Sequence, residues 1–267
     1  MRPAMLVVAS AALAVALVVT PPLRAQAEET HAGNVESPRA ARAALASFDK
    51  AVKAFNGKDY EKARKELGIC LGHQPNNSDA HLLLAKTLYA VKDYAAALTE
   101  VELAKSTFDA GQAQAQVREE SRRTELQRRR RAQDEQIREI NMSLSRPVSD
   151  EERRLLMASL SQAEQARDEL DRQIFQPPTI PGGVPAEYFF FHGNVLLRLQ
   201  RVDDAVAQYR EALKIKPNYP DAANNLAALY FAAKVPKLAL EVIEQAEAQG
   251  VKVNPELKKA VLEAVKP

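Results

Sequence analysis

The small and apolar positions of this chain return at a fixed interval. In "DYEKARKEL" Ala63 follows Tyr60 by three residues, and in "DYAAALTEV" Ala97 follows Tyr94 by three. The two alanines stand 34 residues apart, and so do Ala205 in "VDDAVAQY" and Ala239 in "PKLALEVI". A second small residue comes seven positions after each: Cys70, Ala104, Ala212 and Ala246. Pro75 and Pro217 each follow the first alanine of a pair by 12. Small side chains at fixed helical positions let backbones approach, and proline ends a helix, so the pattern predicts helix pairs. A period in this range signals stacked units, two over about 44–109 and two over about 186–250.

Between the second and third units the period breaks. From Gln112 to Asn141 there is neither proline nor glycine, which predicts that the second helix of unit two runs on from about Tyr94 to Asn141. "SLSRPVSDEE" reads as a turn: Pro147 breaks the helix, and Ser149 caps the next with acids in its first turn. The returning helix spans Asp150 to about Phe175, with Leu156, Ala163 and Leu170 at every seventh position and Ser159 and Ala166 between. The outgoing seam is Val117, Leu126, Ile137, Ile140 and Leu144. Together, 112–176 reads as an antiparallel helical hairpin. The stretch "QPPTIPGGVP" is an extended connector over 177–185. At 1.5 Å per helical residue the outgoing extension reaches about 50 Å, and the return helix plus connector can span that distance. Units three and four can therefore continue the stack of units one and two.

The pattern resembles the tetratricopeptide repeat, two antiparallel helices in 34 residues. The resemblance implies an all-α solenoid of four helix-turn-helix repeats, 37–111 and 186–250, with the hairpin inserted between. In it Ala63, Ala97, Ala205 and Ala239 occupy the positions where the two helices of a repeat cross. Gly193 fits the family's glycine position, whereas Ala51, Ala85 and Ala227 replace it. Asp109 and Val251 stand in for the closing proline, and Pro236 replaces an aromatic in a first helical turn, where proline is tolerated. Ser37-Pro38 and Asn254-Pro255 read as N-caps followed by proline at the first helical position. Leu257, Val261 and Leu262 give a last helix, within 251–267, one apolar face to cover the fourth unit, as a solenoid end requires.

Composition adds two exclusions. Apolar residues make up 46%, with no tryptophan and nine glycines among 267 residues, which favours helix over sheet. Met1-Arg2, the apolar run Ala4 to Val19 and the site Ala25-Gln26-Ala27 read as a signal peptide over 1–27, with an uncleaved membrane anchor as the alternative. Residues 28–36 are expected to be disordered, and the protein to be periplasmic or extracellular. Removing 1–27 takes Arg2 and Arg24 from 37 cations against 35 acids, leaving a formally neutral chain. Neutrality argues against a nucleic-acid partner. Cys70 is the only cysteine, so no internal disulfide forms.

No motif carries chemistry. Ser47-x-x-Lys50 lacks the companion motifs of serine–lysine enzymes. Cys70, His73 and His81 offer a poor zinc set, and His192 reads as packed beside Gly193. Neither a glycine-rich phosphate loop nor HExxH is present. The expectation is no enzyme, no cofactor and no metal. Arg128 to Arg131 ring their helix, and 112–176 holds 13 arginines, 13 acids and no lysine, which reads as a solvated hairpin laced with ion pairs. Its sharper reading is arginine forks on an acidic or phosphorylated partner.

By the resemblance, first helices line a concave face, here with Phe48, Val52, Leu82, Lys86, Tyr89, Phe190, Asn194, Arg198, Asn224 and Asn225. Asn194 and Asn225 sit where clamp-type members grip a peptide backbone or C-terminal carboxylate, but Phe190 and Asp221 replace that clamp's basic residues. The function implied is an exported scaffold that binds a protein or peptide partner through this face. The alternative is a structural or assembly factor of the cell envelope, acting through the hairpin or by self-association.

Overall fold

A computed structural model describes residues 38–177 and 182–266. The proposed signal peptide, the stretch 28–36, the cap at Ser37 and part of the connector lie outside the described residues. Within them the chain is all-α: α1 (Pro38–Asn56), α2 (Tyr60–His73), α3 (Ser78–Ala90), α4 (Tyr94–Leu144), α5 (Asp150–Phe175), α6 (Ala186–Arg198), α7 (Val202–Ile215), α8 (Pro220–Ala232), α9 (Pro236–Ala248) and α10 (Pro255–Val265).

The turn inside each helix pair has one geometry. Lys58, Lys92, Gln200 and Lys234 adopt φ of 60°, 68°, 60° and 59°. In each case the next backbone N–H reaches back to a carbonyl five residues earlier, Asp59 to Ala54, Asp93 to Leu88 and Arg201 to Leu196 at 2.9 Å, Val235 to Tyr230 at 3.0 Å. Such closure needs one left-handed residue after the helix, a role glycine usually fills. Here long side chains take it, so nothing in composition marked these positions. Asp59 and Asp93 then accept a hydrogen bond from the first turn of the second helix, at 3.1 and 3.2 Å, which starts it cleanly.

Pairs α1–α2, α3–α4, α6–α7 and α8–α9 stack in sequence, and α10 covers α9. Ala63, Ala97, Ala205 and Ala239 are fully buried at the crossings, and Cys70, Ala104 and Ala212 at the contacts between pairs. The hairpin does not interrupt the stack. Helix α6 packs directly on α4, and one core joins Leu88, Val101 and Ala104 to Tyr188, Phe191 and Val195. The solenoid is therefore continuous through both halves.

Helix α4, 51 residues long, extends far beyond its pair and carries α5 against it. It continues to Leu144, past the expected end at Asn141, because no breaker precedes Pro147. The seam differs in detail from the expectation. Leu126, Ile140, Ala163 and Ile174 are buried. Val117 is 63% exposed, and Ser159 and Ala166 face outward; Leu156, Leu160 and Leu170 complete the α5 side. Both 159/166 and 160/167/174 fit an a/d alternation with 156, 163 and 170, and burial places the second set on the partner-facing stripe. Arg130 bridges the arms through Asp171 at 2.6 Å.

The Gln112 side-chain amide donates to the Gly182 carbonyl, so the excursion leaves and re-enters the solenoid at one place. Replacing residues 113–181 with a short Gly/Ser linker is therefore expected to preserve helical circular dichroism and a cooperative melt. A non-cooperative melt would show instead that the hairpin belongs to the core.

Candidate functional site

The first helices α1, α3, α6 and α8 form one row, and side chains from neighbouring members meet across it. Lys86 on α3 pairs with Glu187 on α6. Arg198 Nε donates to the Tyr89 hydroxyl at 2.9 Å, with its guanidinium 5.9 Å from the Tyr89 ring centre. Tyr188 donates its hydroxyl to Asp79 at 2.8 Å. One ion pair and two tyrosine hydrogen bonds thus tie α3 to α6.

The asparagines form a network. Tyr209, on α7 and fully buried, donates its hydroxyl to Asn194 Oδ1 at 2.7 Å. Asn225 Nδ2 donates to the same oxygen at 3.1 Å and lies 3.4 Å from the Tyr209 hydroxyl. Burial pushes the Tyr209 pKa up to about 12, so the phenol remains a donor. What the network leaves unused is the Asn194 amide nitrogen and the Asn225 amide oxygen, one donor and one acceptor on adjacent helices, both side chains half-buried. A peptide backbone offers the complementary pair.

The other candidates read from the sequence sit differently. Leu82 is 6% exposed and belongs to the core, out of reach of a ligand. Asn224 donates to the Pro220 carbonyl and accepts from the backbone of Asn254, both at 2.8 Å, which ties it to the cap of α10. Phe190 lies between the Tyr219 and Tyr209 rings, at 5.0 and 5.9 Å. Phe48 and Val52 are half-buried on α1, apart from the asparagines. Sequence reasoning missed Tyr209, Tyr188 and Glu187. Tyr209 alone had a signal, an aromatic sixteen residues after the repeat's single glycine.

His81 and His192 are buried. His81 contacts Glu100 through Nδ1 at 2.7 Å and the Pro75 carbonyl through Nε2 at 2.8 Å. Both partners are acceptors, so the doubly protonated ring satisfies both. Burial disfavours that charge, but the bonds to Glu100 and Pro75 outweigh it and hold the pKa above the usual 6.5. A raised folded pKa stabilises fully below about 6.5, and the contribution fades as pH rises through the folded value. The stability gap between the parent protein and His81→Gln is therefore expected to narrow from pH 6 to pH 9 in urea titrations. A constant gap would mean that His81 does not titrate in that window. His192 is buried and held neutral, its pKa lowered to about 4 by burial and by Lys105 and Arg201. Among the described residues, no cluster of three His, Cys, Asp or Glu could hold a metal, and no helix is long and apolar enough to cross a membrane.

Residues 193–233 match a family model described as TPR repeat. No match was found among curated proteins. Among solved structures, the chain is similar to Pseudomonas aeruginosa pilF at 17% identity, covering 84% of each chain with a TM-score of 0.36. It is also similar to a thermophilic TPR protein of Thermus thermophilus at 15%, covering 83% of this chain and 98% of that one, TM-score 0.33. YrrB, described as a TPR protein with an unusual peptide-binding site, shares 15% identity over 83% of this chain and 91% of its own, TM-score 0.29.

Proposed function

We propose, from the premise that the chain is a tetratricopeptide-repeat protein, that it is an exported scaffold gripping a peptide segment of a protein partner along its first-helix row. The fold commonly mediates protein and peptide binding. The observation that carries the finer reading is the Asn194–Asn225 pair, 3.1 Å apart on successive first helices and braced by Tyr209. The groups this pair leaves unused, the Asn194 amide nitrogen and the Asn225 amide oxygen, are a donor and an acceptor that suit main-chain groups, so the partner is read through its backbone, with Phe190, Lys86 and Arg198 nearby to sort side chains. Repeat proteins of this kind are typically scaffolds without catalysis. Export is supported by the residue pattern of 1–27 alone.

The network decides how this is tested. Asn194→Ala would strip a buried tyrosine hydroxyl of its acceptor and so lower stability as well as binding. Asn225→Ala leaves the Tyr209–Asn194 bond intact. The expected result is a nearly unchanged melting temperature with partner affinity reduced about 5- to 10-fold, measured by calorimetry on a partner captured through a photoreactive side chain at Ala228. Intact mass of the chain purified from its native host is expected to begin at Glu28. Unaltered affinity in the folded Asn225→Ala variant moves the binding surface to the hairpin, and a mass that retains 1–27 replaces export with anchoring.

A further inference from the structure

The grooves between consecutive second helices are not alike. Between α4 and α7, above α6, polar side chains fill the space. Lys105 Nζ donates to Gln208 Oε1 at 3.0 Å and lies 4.0 Å from the centre of the Phe189 ring, beside buried His192. One unit further on, between α7 and α9 above α8, the same groove is an open pocket of about 390 Å³. The register explains the contrast. Leu213 stands at the repeat position of Lys105, Leu226 at that of His192, and Val242 at that of Gln208. Three side chains that bond or pack across the first groove are replaced by three that only present methyl groups.

Two polar groups remain in this apolar setting. Tyr230 forms part of the floor and is 8% exposed, and its buried hydroxyl has no hydrogen-bond partner. A buried hydroxyl without a protein partner is unusual, and it leaves one hydrogen bond open beside the apolar lining. Arg210, on the rim, lies 5.5 Å over the Tyr230 ring, and no carboxylate among the described residues pairs with it. Its neighbour Lys214 already has Glu211 at 3.5 Å.

We propose that this pocket binds an aliphatic monocarboxylate. The chain lies against Leu213, Leu226, Leu238 and Val242, and the carboxylate settles between the Arg210 guanidinium and the Tyr230 hydroxyl. Pocket volumes of this order suit small ligands. Glu241, also on the rim, repels anions and offsets part of the Arg210 charge, so the site suits a ligand with a single negative charge better than a dicarboxylate or a phosphate. The site lies between second helices and is independent of the first-helix row that grips a peptide.

The test is calorimetric titration of the full chain with hexanoate, octanoate and decanoate below their micelle concentrations. Affinity is expected to rise about 3- to 4-fold for each added methylene. Decanoate should bind more tightly than decanedioate or decylammonium. Tyr230→Phe keeps the ring and removes the orphan hydroxyl, so its melting temperature should hold or rise while decanoate affinity drops about 5- to 10-fold. Arg210→Gln should weaken binding at least 10-fold. Equal binding of decylammonium, or decanoate affinity that neither substitution alters, overturns the proposal and leaves only surface adsorption. Peptide capture at the first-helix row is a separate readout, so failure here leaves that reading standing.

Discussion

Replacing Tyr188 with alanine is expected to lower stability by about 3–5 kcal/mol and to split a single melting transition into two. Tyr188 is 3% exposed and sits where the two halves of the solenoid meet. Its ring packs edge-on against Phe108 of α4 at 5.7 Å, and its hydroxyl reaches Asp79 of α3 at 2.8 Å. A repeat array is held together by nearest-neighbour interfaces, so a weakened joint uncouples the units on either side. Tyr188→Phe retains the ring and should lose only about 1–2 kcal/mol, the hydrogen bond's share. Calorimetric scans of both variants check this. One sharp transition for Tyr188→Ala, merely shifted down, would show that other contacts suffice to couple the halves.

Gly193→Ala is expected to destabilise by about 1–3 kcal/mol, although alanine favours a helix by nearly 1 kcal/mol. A Cβ at position 193 would lie 2.6 Å from Tyr209 Cε1 and 2.9 Å from Cδ1. The ring cannot retreat, because Tyr209 is fully buried and its hydroxyl is anchored on Asn194. The other units show the compensating choice. Ala51, Ala85 and Ala227 are followed sixteen residues later by Leu67, Val101 and Ile243, all fully buried. A branched aliphatic leaves room for one methyl group; a phenol does not. Tyr209→Leu alone opens a cavity and removes the bond to Asn194, so it too is destabilising. With both changes, the two penalties should overlap, and the pair should cost less than the sum of its parts. Urea denaturation of the four proteins gives the coupling directly. Additivity within about 0.5 kcal/mol would mean that the two positions do not share this space.

How much of this was legible beforehand depends on whether the determining interaction is local. The helix pairs were readable because their causes recur along the chain: small residues at 63, 97, 205 and 239, prolines at 75 and 217, and a 34-residue period matching that of a helix-pair repeat. The family resemblance rested on those same residues, and the all-α solenoid followed from it. Hairpin composition likewise announced long helices, since nothing from Gln112 to Asn141 breaks one. The candidate surface was legible only as a set of positions. Sequence spacing placed Asn194 and Asn225 on first helices, but not the Tyr209 hydroxyl between them, nor that Leu82 is buried and Asn224 is tied to the last cap. Those facts depend on side-chain directions from three separate helices, and spacing along one helix carries no such information.

Periodicity and composition therefore determined the class of fold, the pairing of helices and the absence of any familiar catalytic motif, because each arises from interactions within about 34 residues. Tertiary structure decided the continuity of the solenoid past the hairpin, since α4 meets α6 across nearly a hundred residues of chain. It also decided which polar groups find partners within the protein, such as Asn194 on Tyr209, and which do not, such as the Tyr230 hydroxyl. Two grooves in the same register differ in the residues at equivalent positions, which the sequence lists, but only the packed helices show that Lys105 and Gln208 meet across one and that the other stays open beside Tyr230.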